Sequence, residues 1–322
     1  MRAFILRKLL NIVPTILLLS LIIFIGMELT PGDAATALIE PDTPVEEIEK
    51  IRESLGLNEP AYIRYFSWLA GIFVGDFGIS LNDGSDIATV ISQKLGATLE
   101  LMLTSFLFSS IIGVILGIVS SLNKYSSTDH ILTLFGMIGL SIPSFFFGII
   151  SLKILSVDLQ LLPFGGRLSP DEMGNVRILN LIQPALVLAL LEIAAVMRYS
   201  RSTMIDVLGK DYIVTAQSKG LAPWRINFLH GFRTAVTPII VLLAFRLPGL
   251  IGGSIIIETV FVWPGMGSTF IYAVEGRDYN MVMMISLIVS VIVLIASLLV
   301  DVLIAIFDLE YLRRNRHLKI TL

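Results

Sequence analysis

Apolar runs long enough to cross a lipid bilayer recur along this sequence of 322 residues. A transmembrane helix needs about 20 predominantly apolar residues, and a helix satisfies its own backbone polar groups inside the hydrocarbon. The chain is only 15% charged, where a soluble domain has about 25%. The sequence therefore predicts an all-α, polytopic membrane protein with six transmembrane helices, at residues 9–29, 98–122, 131–155, 181–197, 239–257 and 284–307.

The first apolar run follows Arg2, Arg7 and Lys8, an arrangement that a secretory signal peptide shares. Ala35-Thr36-Ala37 also has the small residues of a cleavage site. However, the run has the length of a full span, about 20 residues, whereas the apolar core of a signal peptide has about 7–15. We therefore expect residues 1–30 to be retained as the first transmembrane helix.

The longest predicted segment outside the membrane, residues 31–97, lies between the first two spans. Pro44 suits the first turn of a short helix that Gly56 ends. Pro60 opens a second helix, and Asp86 can cap a third one before the second span. Aromatic residues on one side of the second helix favour the membrane interface over a substrate-binding aromatic box. We expect a helical extracytoplasmic segment.

The basic residues are divided unequally between the two predicted sides of the membrane. Fourteen Lys and Arg fall on the side of the N-terminus and seven on the other side. An excess of Lys and Arg marks the cytoplasmic side. We therefore expect a multi-pass protein of the cytoplasmic membrane with both termini inside. It would have a transmembrane core at residues 98–310, a cytoplasmic loop at 209–238 and a cytoplasmic tail at 311–322.

The loop at 209–238 has the local signals of two short helices. Asp211 can cap a helix at Tyr212–Lys219. Gly220 suits the left-handed conformation that follows a helix end, and Pro223 suits the first turn of the next helix. Isolated helices shorter than about 12–15 residues are marginal in water, so a helix of two turns must dock against something. The alternative is an ordinary connection whose charges only fix the topology.

The same loop resembles the cytoplasmic coupling loop, or EAA loop, of the membrane subunits of ATP-binding-cassette importers. That family has Glu-Ala-Ala, three residues and Gly; Ala216 and Gly220 match, while Val214 stands at the glutamate position. The role of that glutamate is therefore not carried over. A wider string is similar to the first permease subunit of dipeptide, oligopeptide and nickel importers; it comprises Asp211-Tyr212-Ile213, Thr215-Ala216, Lys219-Gly220-Leu221, His230-Gly231-Phe232-Arg233 and Pro238. The resemblance implies ATPase coupling for Asp211, Tyr212, Ala216, Lys219 and Gly220.

Motifs predicted outside the membrane resemble the same subgroup, and the resemblance extends from Arg7 to Asp308. These motifs are Pro31-Gly32-Asp33, Gly75–Ser80, Trp263–Gly267 and Arg277–Tyr279. In the family, the external region of the later motifs lies near the docking face of the substrate-binding protein. The resemblance therefore makes docking candidates of Trp263, Pro264, Gly265 and Asp278. Trp263 as a membrane-interface anchor is the local alternative, and Asp308-Leu309 departs from the Asp-Pro of the family.

The resemblance also implies partners. These are a second, homologous permease that completes a heterodimer, two ATPase subunits, an extracytoplasmic substrate-binding protein and the lipid bilayer, without nucleic acid. The sequence has no G-x-x-x-x-G-K-[ST] motif, the phosphate-binding loop of many ATPases. ATP and Mg are therefore expected on the partner ATPase subunits, and this chain is expected to be a transport subunit with no cofactor and no enzyme activity of its own.

Charged residues inside a span are costly, and they usually face a bundle interior or a water-filled path. Glu192, Arg246 and Asp301 lie in predicted spans. With Gly249, they are candidates for a translocation path, and an internal salt bridge or hydrogen bonds between helices are the alternative. Small residues that would allow close helix packing are Gly249, Gly252 and Gly253.

Several functions are compatible with such a chain. The coupling-loop string favours a peptide importer, and the same architecture importing nickel or a metal chelate is the alternative. An ion-coupled secondary transporter would use the intramembrane charges as coupling groups. An intramembrane enzyme has little support, because the chain has no cysteine and no H-E-x-x-H motif. We expect no metal site, because the ligands that zinc and other transition metals need are not clustered.

Overall fold

The computed structural model of this protein describes residues 2–30, 35, 44–54, 56–167 and 174–307. Its α-helices are α1 (Arg2–Glu28), α2 (Val45–Ser54), α3 (Ala61–Val74), α4 (Ile87–Leu122), α5 (Ser127–Ser141), α6 (Ser144–Ser151), α7 (Gly174–Leu208), α8 (Asp211–Ser218), α9 (Arg233–Arg246), α10 (Gly249–Val260), α11 (Met266–Glu275) and α12 (Tyr279–Phe307). Two π-helical segments occupy Leu152–Asp158 and Arg225–Phe232.

The all-α class is confirmed for these residues, where the β-structure is an isolated bridge between Ile79 and Asp86. Three sequence features lie outside the described residues: the motif Pro31-Gly32-Asp33, the pair Asp308-Leu309 and the predicted tail at 311–322.

Five described helices are long and apolar enough to cross a membrane: Arg7–Glu28, Ile87–Leu122, Ile178–Leu208, Arg225–Arg246 and Tyr279–Ile304. A sixth crossing results if Ser127–Ser141 and Ser144–Asp158 form one span, which is bent by 102° at its break. Pro143 lies at this break, and Ile142 before it is extended, as a residue preceding proline tends to be. The interruption that the sequence predicts at Pro143 is therefore present.

Helix α4 unites two elements that the sequence predicts as separate. Asp86 caps it as expected, because its Oδ2 accepts hydrogen bonds from the N and Oγ1 of Thr89 at 2.8 and 2.6 Å. The helix then continues to Leu122 without interruption. The short helix before residue 98 and the second span are therefore one element. No proline stands between Ile87 and Leu122 to end the first part.

Helix α7 is longer than the predicted span at 181–197. It continues to Leu208 although its sequence becomes polar after Met197. Ser200 and Met204 are completely buried in this continuation, which tertiary packing therefore stabilises. Helix α7 packs against α5, α6, α9 and α10.

The fifth predicted span, 239–257, is divided in the structure. Helix α9 ends at Arg246 and α10 begins at Gly249. Pro248 lies in the break, where the missing N–H of proline and the low helix propensity of Gly249 act together. The apolar helix that precedes the break starts earlier than predicted, at Arg225.

The predicted loop at 259–283 contains a helix, α11, and the first turn of α12. Helix α11 buries Met266 and Ala273 in a hydrophobic cluster with Ile91 and Met284. This tertiary burial stabilises a helix whose ten residues would be marginal in isolation.

The chain forms two compact units. The first comprises Met1–Leu99 and Trp263–Ile295, and the second comprises Glu100–Val262 and Ala296–Leu322. The predicted coupling residues and the intramembrane charges belong to the second unit. The predicted docking residues belong to the first.

Candidate functional site

The segment after α7 forms the short helix that the sequence predicts, with a different cap. Helix α8 begins at Asp211, and its N-cap is Lys210, which is extended and contributes no side-chain hydrogen bond. The prediction that Asp211 caps the helix is therefore wrong. The helix begins one residue earlier, so Asp211 lies in its first turn. A carboxylate there still interacts favourably with the helix dipole.

The end of α8 follows the sequence prediction. Lys219 is the C-cap, and Gly220 has a φ of +71°, a conformation that glycine adopts without the cost that a side chain brings. The Leu221 N–H donates to the carbonyl of Ala216 at 3.4 Å. Pro223 opens the next helical segment, as its fixed φ favours.

Helix α8 is held in place by a small apolar cluster. Ile213 and Ala216 are buried together with Ile226 of the following π-helical segment, and Leu208 and Leu221 pack against them. The docking partner of this helix is therefore its own chain. The other six residues of α8 are exposed.

Two of the exposed side chains of α8 are large and apolar, and they lie among polar ones such as Asp211 and Thr215. Tyr212 and Val214 of α8 are 42% and 53% exposed, and Trp224 beyond it is 61% exposed. The guanidinium of Arg225 lies 5.4 Å from the centre of the Trp224 ring, within the range of a cation–π contact. We call Tyr212, Val214 and Trp224 the coupling face.

The π-helical segment connects α8 to α9 and lies close to α7. A side-chain carbon added at Gly231 would come within 3.0 Å of the Cδ2 of Leu208 and 3.3 Å of the Ile226 carbonyl oxygen. The segment between α8 and α9 is therefore closely packed against the end of α7.

A partly buried ion pair that the sequence did not predict lies about two turns before the end of α7. Arg201 donates from Nε and Nη2 to the two carboxylate oxygens of Asp129, both at 2.7 Å. The same carboxylate accepts from the hydroxyl of Ser120 and, at 2.9 Å, from the N–H of Tyr125. We call this set the Asp129–Arg201 clamp. It fastens the turn between α4 and α5 to α7.

Two glycines bring α4 against α7 beside the clamp. A side-chain carbon at Gly113 would lie 2.7 Å from the Cβ of Val196, and one at Gly117 would lie 2.6 Å from the Cβ of Ser200. The G-x-x-x-G spacing of Gly113 and Gly117 is the sequence signal that could have revealed this contact. For the clamp, the only signal was the N-cap Ser126, whose hydroxyl accepts from the N–H of Asp129.

The structure brings Glu192 and Arg246 together. Nη1 of Arg246 lies 3.7 Å from Oε2 of Glu192, which is an ion pair, as the salt-bridge alternative anticipates. Asp301 lies on α12 beside Val300, which packs with Ala244 of α9. The close packing expected at Gly249 is wrong within the described residues, because a side-chain carbon there would meet nothing within 4 Å.

The glycines near Gly249 differ from one another. A carbon at Gly252 would also meet nothing within 4 Å of the described residues, whereas one at Gly253 would lie 3.1 Å from the Cδ1 of Leu188. Only Gly253 therefore has the role in helix packing that was expected for all three positions.

The outer residues expected at a docking surface are largely interior. Trp263 is completely buried and donates from Nε1 to the carbonyl of Ala97 at 2.8 Å. Gly265 is buried and Pro264 is partly buried. Because its indole is buried, Trp263 does not serve as a membrane-interface anchor. It cannot contact a partner directly, and only its exposed neighbours could. The sequence could not reveal this, because burial comes from distant segments.

Asp278 is also buried, and it fixes the segment before α4. Its Oδ2 accepts from the hydroxyl of Ser80 at 2.5 Å and from the N–H of Leu81 at 3.1 Å. Its Oδ1 accepts from the N–H of Met281 at 3.1 Å. Asp278 therefore caps α12 and positions the segment at 80–81, instead of presenting its carboxylate at the surface.

The described residues contain no group of three or more His, Cys, Asp or Glu side chains that could hold a metal ion. The geometry thus consists of a bundle of apolar helices, a docked two-turn helix with an exposed face, and an ion pair between two spans. These features are those of a polytopic membrane protein with an exposed short helix between two spans.

The comparisons with known proteins identify the family. Residues 109–312 match the family described as "Binding-protein-dependent transport system inner membrane component", and residues 1–102 match its N-terminal companion. The chain belongs to this family of permease subunits of ATP-binding-cassette importers. It is therefore a multi-pass protein of the inner membrane.

Relatives match this chain over nearly its whole length. The oligopeptide transport system permease protein AppB of Bacillus subtilis is 39% identical, with 97% of this chain and 100% of the relative covered. A putative peptide permease of Brucella ovis is 35% identical, covering 91% and 93%. The glutathione transport system permease protein GsiC of Escherichia coli is 31% identical, covering 94% and 96%.

A solved structure supports the fold. The inward-facing MetNI methionine ABC transporter has a chain that matches 68% of this one and 96% of its own length, with a TM-score of 0.57 and 14% identity. At that identity, the similarity concerns the arrangement of helices alone.

Proposed function

We propose that this chain is a permease subunit of a binding-protein-dependent, ATP-driven importer of di- and oligopeptides. The observation that carries the proposal is the near full-length relationship to permeases named for oligopeptide, peptide and glutathione transport. The chain would form half of the translocation path, and a second, homologous permease would form the other half. Both termini would be cytoplasmic.

The coupling face is where we place the ATPase contact. An ATPase needs an exposed surface to bind, and Tyr212 and Val214 provide one on a helix whose other side is anchored by Ile213 and Ala216. Closure of two ATPase subunits around ATP and Mg would then move α8, and with it the ends of α7 and α9. The coupling residues Asp211, Lys219 and Gly220 shape the ends of this helix.

We place the contact with the extracytoplasmic binding protein near the outer motifs. Trp263, Pro264, Gly265 and Asp278 would act there by holding the local backbone, since the Trp263 and Asp278 side chains are interior. Exposed neighbours such as Val262 would make the contact itself.

The coupling proposal is tested by copurification from mild detergent. Val214→Asp places a charge on the coupling face, and Val157→Asp is a matched control, because both valines are 53% exposed and Val157 lies next to the charged Asp158. We expect Val214→Asp to lose the ATPase subunits and retain the second permease, and Val157→Asp to retain both. Retention of the ATPase by both variants would contradict the assignment of the coupling face.

The substrate proposal is tested by reconstituting the complete complex with its binding protein in proteoliposomes. We expect ATP-dependent uptake of trialanine and no uptake of Ni²⁺. Uptake of Ni²⁺ alone would favour the nickel alternative. Uptake by this chain without ATP and without partners, driven by an ion gradient, would instead favour a secondary transporter.

A further inference from the structure

The ion pair between Glu192 of α7 and Arg246 of α9 does not use all the hydrogen-bond donors of the arginine. Nη1 of Arg246 and Oε2 of Glu192 are 3.7 Å apart, farther than a hydrogen bond reaches. Among the described residues, Oε2 of Glu192 has no hydrogen-bond partner. A guanidinium has five N–H donors, so Arg246 retains donors for a second acceptor.

The two side chains differ in exposure. The Glu192 side chain is 12% exposed, whereas the Arg246 side chain is 43% exposed. Glu192 is thus fixed inside the bundle, and the guanidinium of Arg246 is accessible from outside the chain.

The position of the pair in the spans indicates what surrounds the exposed guanidinium. Glu192 lies inside the apolar stretch Ile178–Leu208 of α7, and Arg246 is the last residue of the stretch Arg225–Arg246, after which the chain continues as α10. Charged groups inside a span face a bundle interior or a water-filled path, because contact with lipid is costly. The exposed side of Arg246 therefore faces the translocation path or the second permease.

Two glycines that follow the helix break after Arg246 face open space among the described residues. Gly249 and Gly252 of α10 follow Arg246 by about one and two turns, are exposed, and would meet nothing within 4 Å if a side-chain carbon were added. Discontinuous helices near the midplane are where transporters commonly build substrate sites.

We propose that Arg246 binds a carboxylate of the peptide in the translocation path, and that Glu192 is the counter-ion which this carboxylate replaces. The inference rests on the proposed peptide function. Arginine suits this role, because its planar fork matches a carboxylate with two parallel hydrogen bonds. Glu192 at 3.7 Å makes no such bonds, so it competes weakly for the guanidinium. Every peptide with a free C-terminus supplies a carboxylate, and acidic side chains supply the same group.

The test compares three peptides in the reconstituted complete complex: trialanine, trialanine amide and Ala-Glu-Ala amide. Trialanine has a C-terminal carboxylate, the second peptide has none, and the third has one on a side chain. The variants are Arg246→Gln, Arg246→Lys and Glu192→Gln. Lys153→Gln is the control, because it removes an exposed ion pair with Asp158. The binding protein is the same throughout, so its own preference cancels when acid-to-amide KM ratios are compared between variants.

We expect Arg246→Gln to raise the KM for trialanine about tenfold relative to the amide, as the loss of a hydrogen bond to a charged group does. Arg246→Lys should fall in between, and Glu192→Gln should lower the KM for trialanine. Ala-Glu-Ala amide responding like trialanine would show that any carboxylate is accepted; a response like the amide would assign the C-terminus.

An acid-to-amide ratio that is the same in wild type, Arg246→Gln and Arg246→Lys would overturn the carboxylate site while leaving the peptide function intact. A wild-type complex that transports none of the three peptides would overturn the peptide function, and this inference with it. Copurification of the partner subunits with each variant confirms that the complex is assembled before KM is measured.

Discussion

Adding a single methyl group at Gly117 tests whether α4 and α7 are packed as closely as the structure indicates. The new Cβ of Gly117→Ala would lie 2.6 Å from the Cβ of Ser200, 2.7 Å from the carbonyl oxygen of Met197 and 3.0 Å from the N of Arg201. Ordinary contact begins near 3.4 Å. Two of these three atoms belong to the backbone, so α7 cannot relieve the overlap by rotating a side chain.

The magnitude follows from two opposing effects. Overpacking of a well-packed interior costs about 1–3 kcal/mol, while replacing a helix-interior glycine by alanine gains about 0.5–1 kcal/mol. We expect Gly117→Ala to lower the free energy of unfolding by about 0.5–2 kcal/mol. Gly96→Ala on the same helix is the matched control, because its Cβ would meet nothing within 4 Å. It should raise stability by about 0.5–1 kcal/mol.

The assay is the thermal unfolding midpoint of the purified protein in detergent. A change of 1 kcal/mol shifts the midpoint by about 2–4 °C in a domain of 150–250 residues, so the two variants should move in opposite directions by a measurable amount. The double variant Gly117→Ala/Ser200→Gly should recover part of the loss, because it removes the nearest of the three atoms. Equal midpoints for Gly117→Ala and Gly96→Ala would refute the close packing of α4 and α7.

Three hydrogen-bonded carboxylates give further predictions. Asp129→Asn weakens the clamp and should lower the free energy of unfolding by about 1–3 kcal/mol, since Arg201 then lacks its counter-charge. A double-mutant cycle with Arg201→Gln should give a coupling energy of similar size. Asp278→Asn should increase proteolysis at residues 76–85, because one amide cannot accept all three of the present hydrogen bonds. Hydrogen bonds from Thr89 hold the pKa of Asp86 below its ordinary value of 3.8. The stability that this cap contributes is therefore fully present above pH 3.8 and is lost as the pH falls through the lowered pKa. Hydrogen-exchange protection in the first turn of α4 should show this loss. Asp86→Asn should abolish the pH dependence of the protection.

Local signals were enough to predict helix α8. Gly220 and Pro223 act through their own backbone preferences, so the end of α8 and the start of the next helical segment were recognisable without tertiary information. Pro143 acted in the same way on the third apolar run. The cap of α8 was misplaced by one residue, because aspartate is a favoured N-cap while the actual N-cap, Lys210, makes no side-chain hydrogen bond that would mark it in the sequence.

Features that depend on distant residues were not predictable in this way. Trp263 and Asp278 were expected at the surface, because their partners Ala97 and Ser80 lie more than 160 residues away in sequence. The polar part of α7 continues as a helix in which Arg201 pairs with Asp129. The span predicted from composition ended before Arg201, because composition does not show this pairing.

The π-helical segment Arg225–Phe232 has a consequence for the direction in which α9 presents its side chains. A π-helical turn contains one residue more than an α-helical turn. In an α-helix, each residue is rotated by about 100° about the axis relative to the preceding one. Conversion of this segment to α geometry would therefore rotate α9 about its axis while the helix stays continuous. If such a conversion accompanied a movement of α8, it would reach Arg246 through the hydrogen-bond register of the helix, and deletion of one residue within Arg225–Phe232 would present a different face of α9 to Glu192.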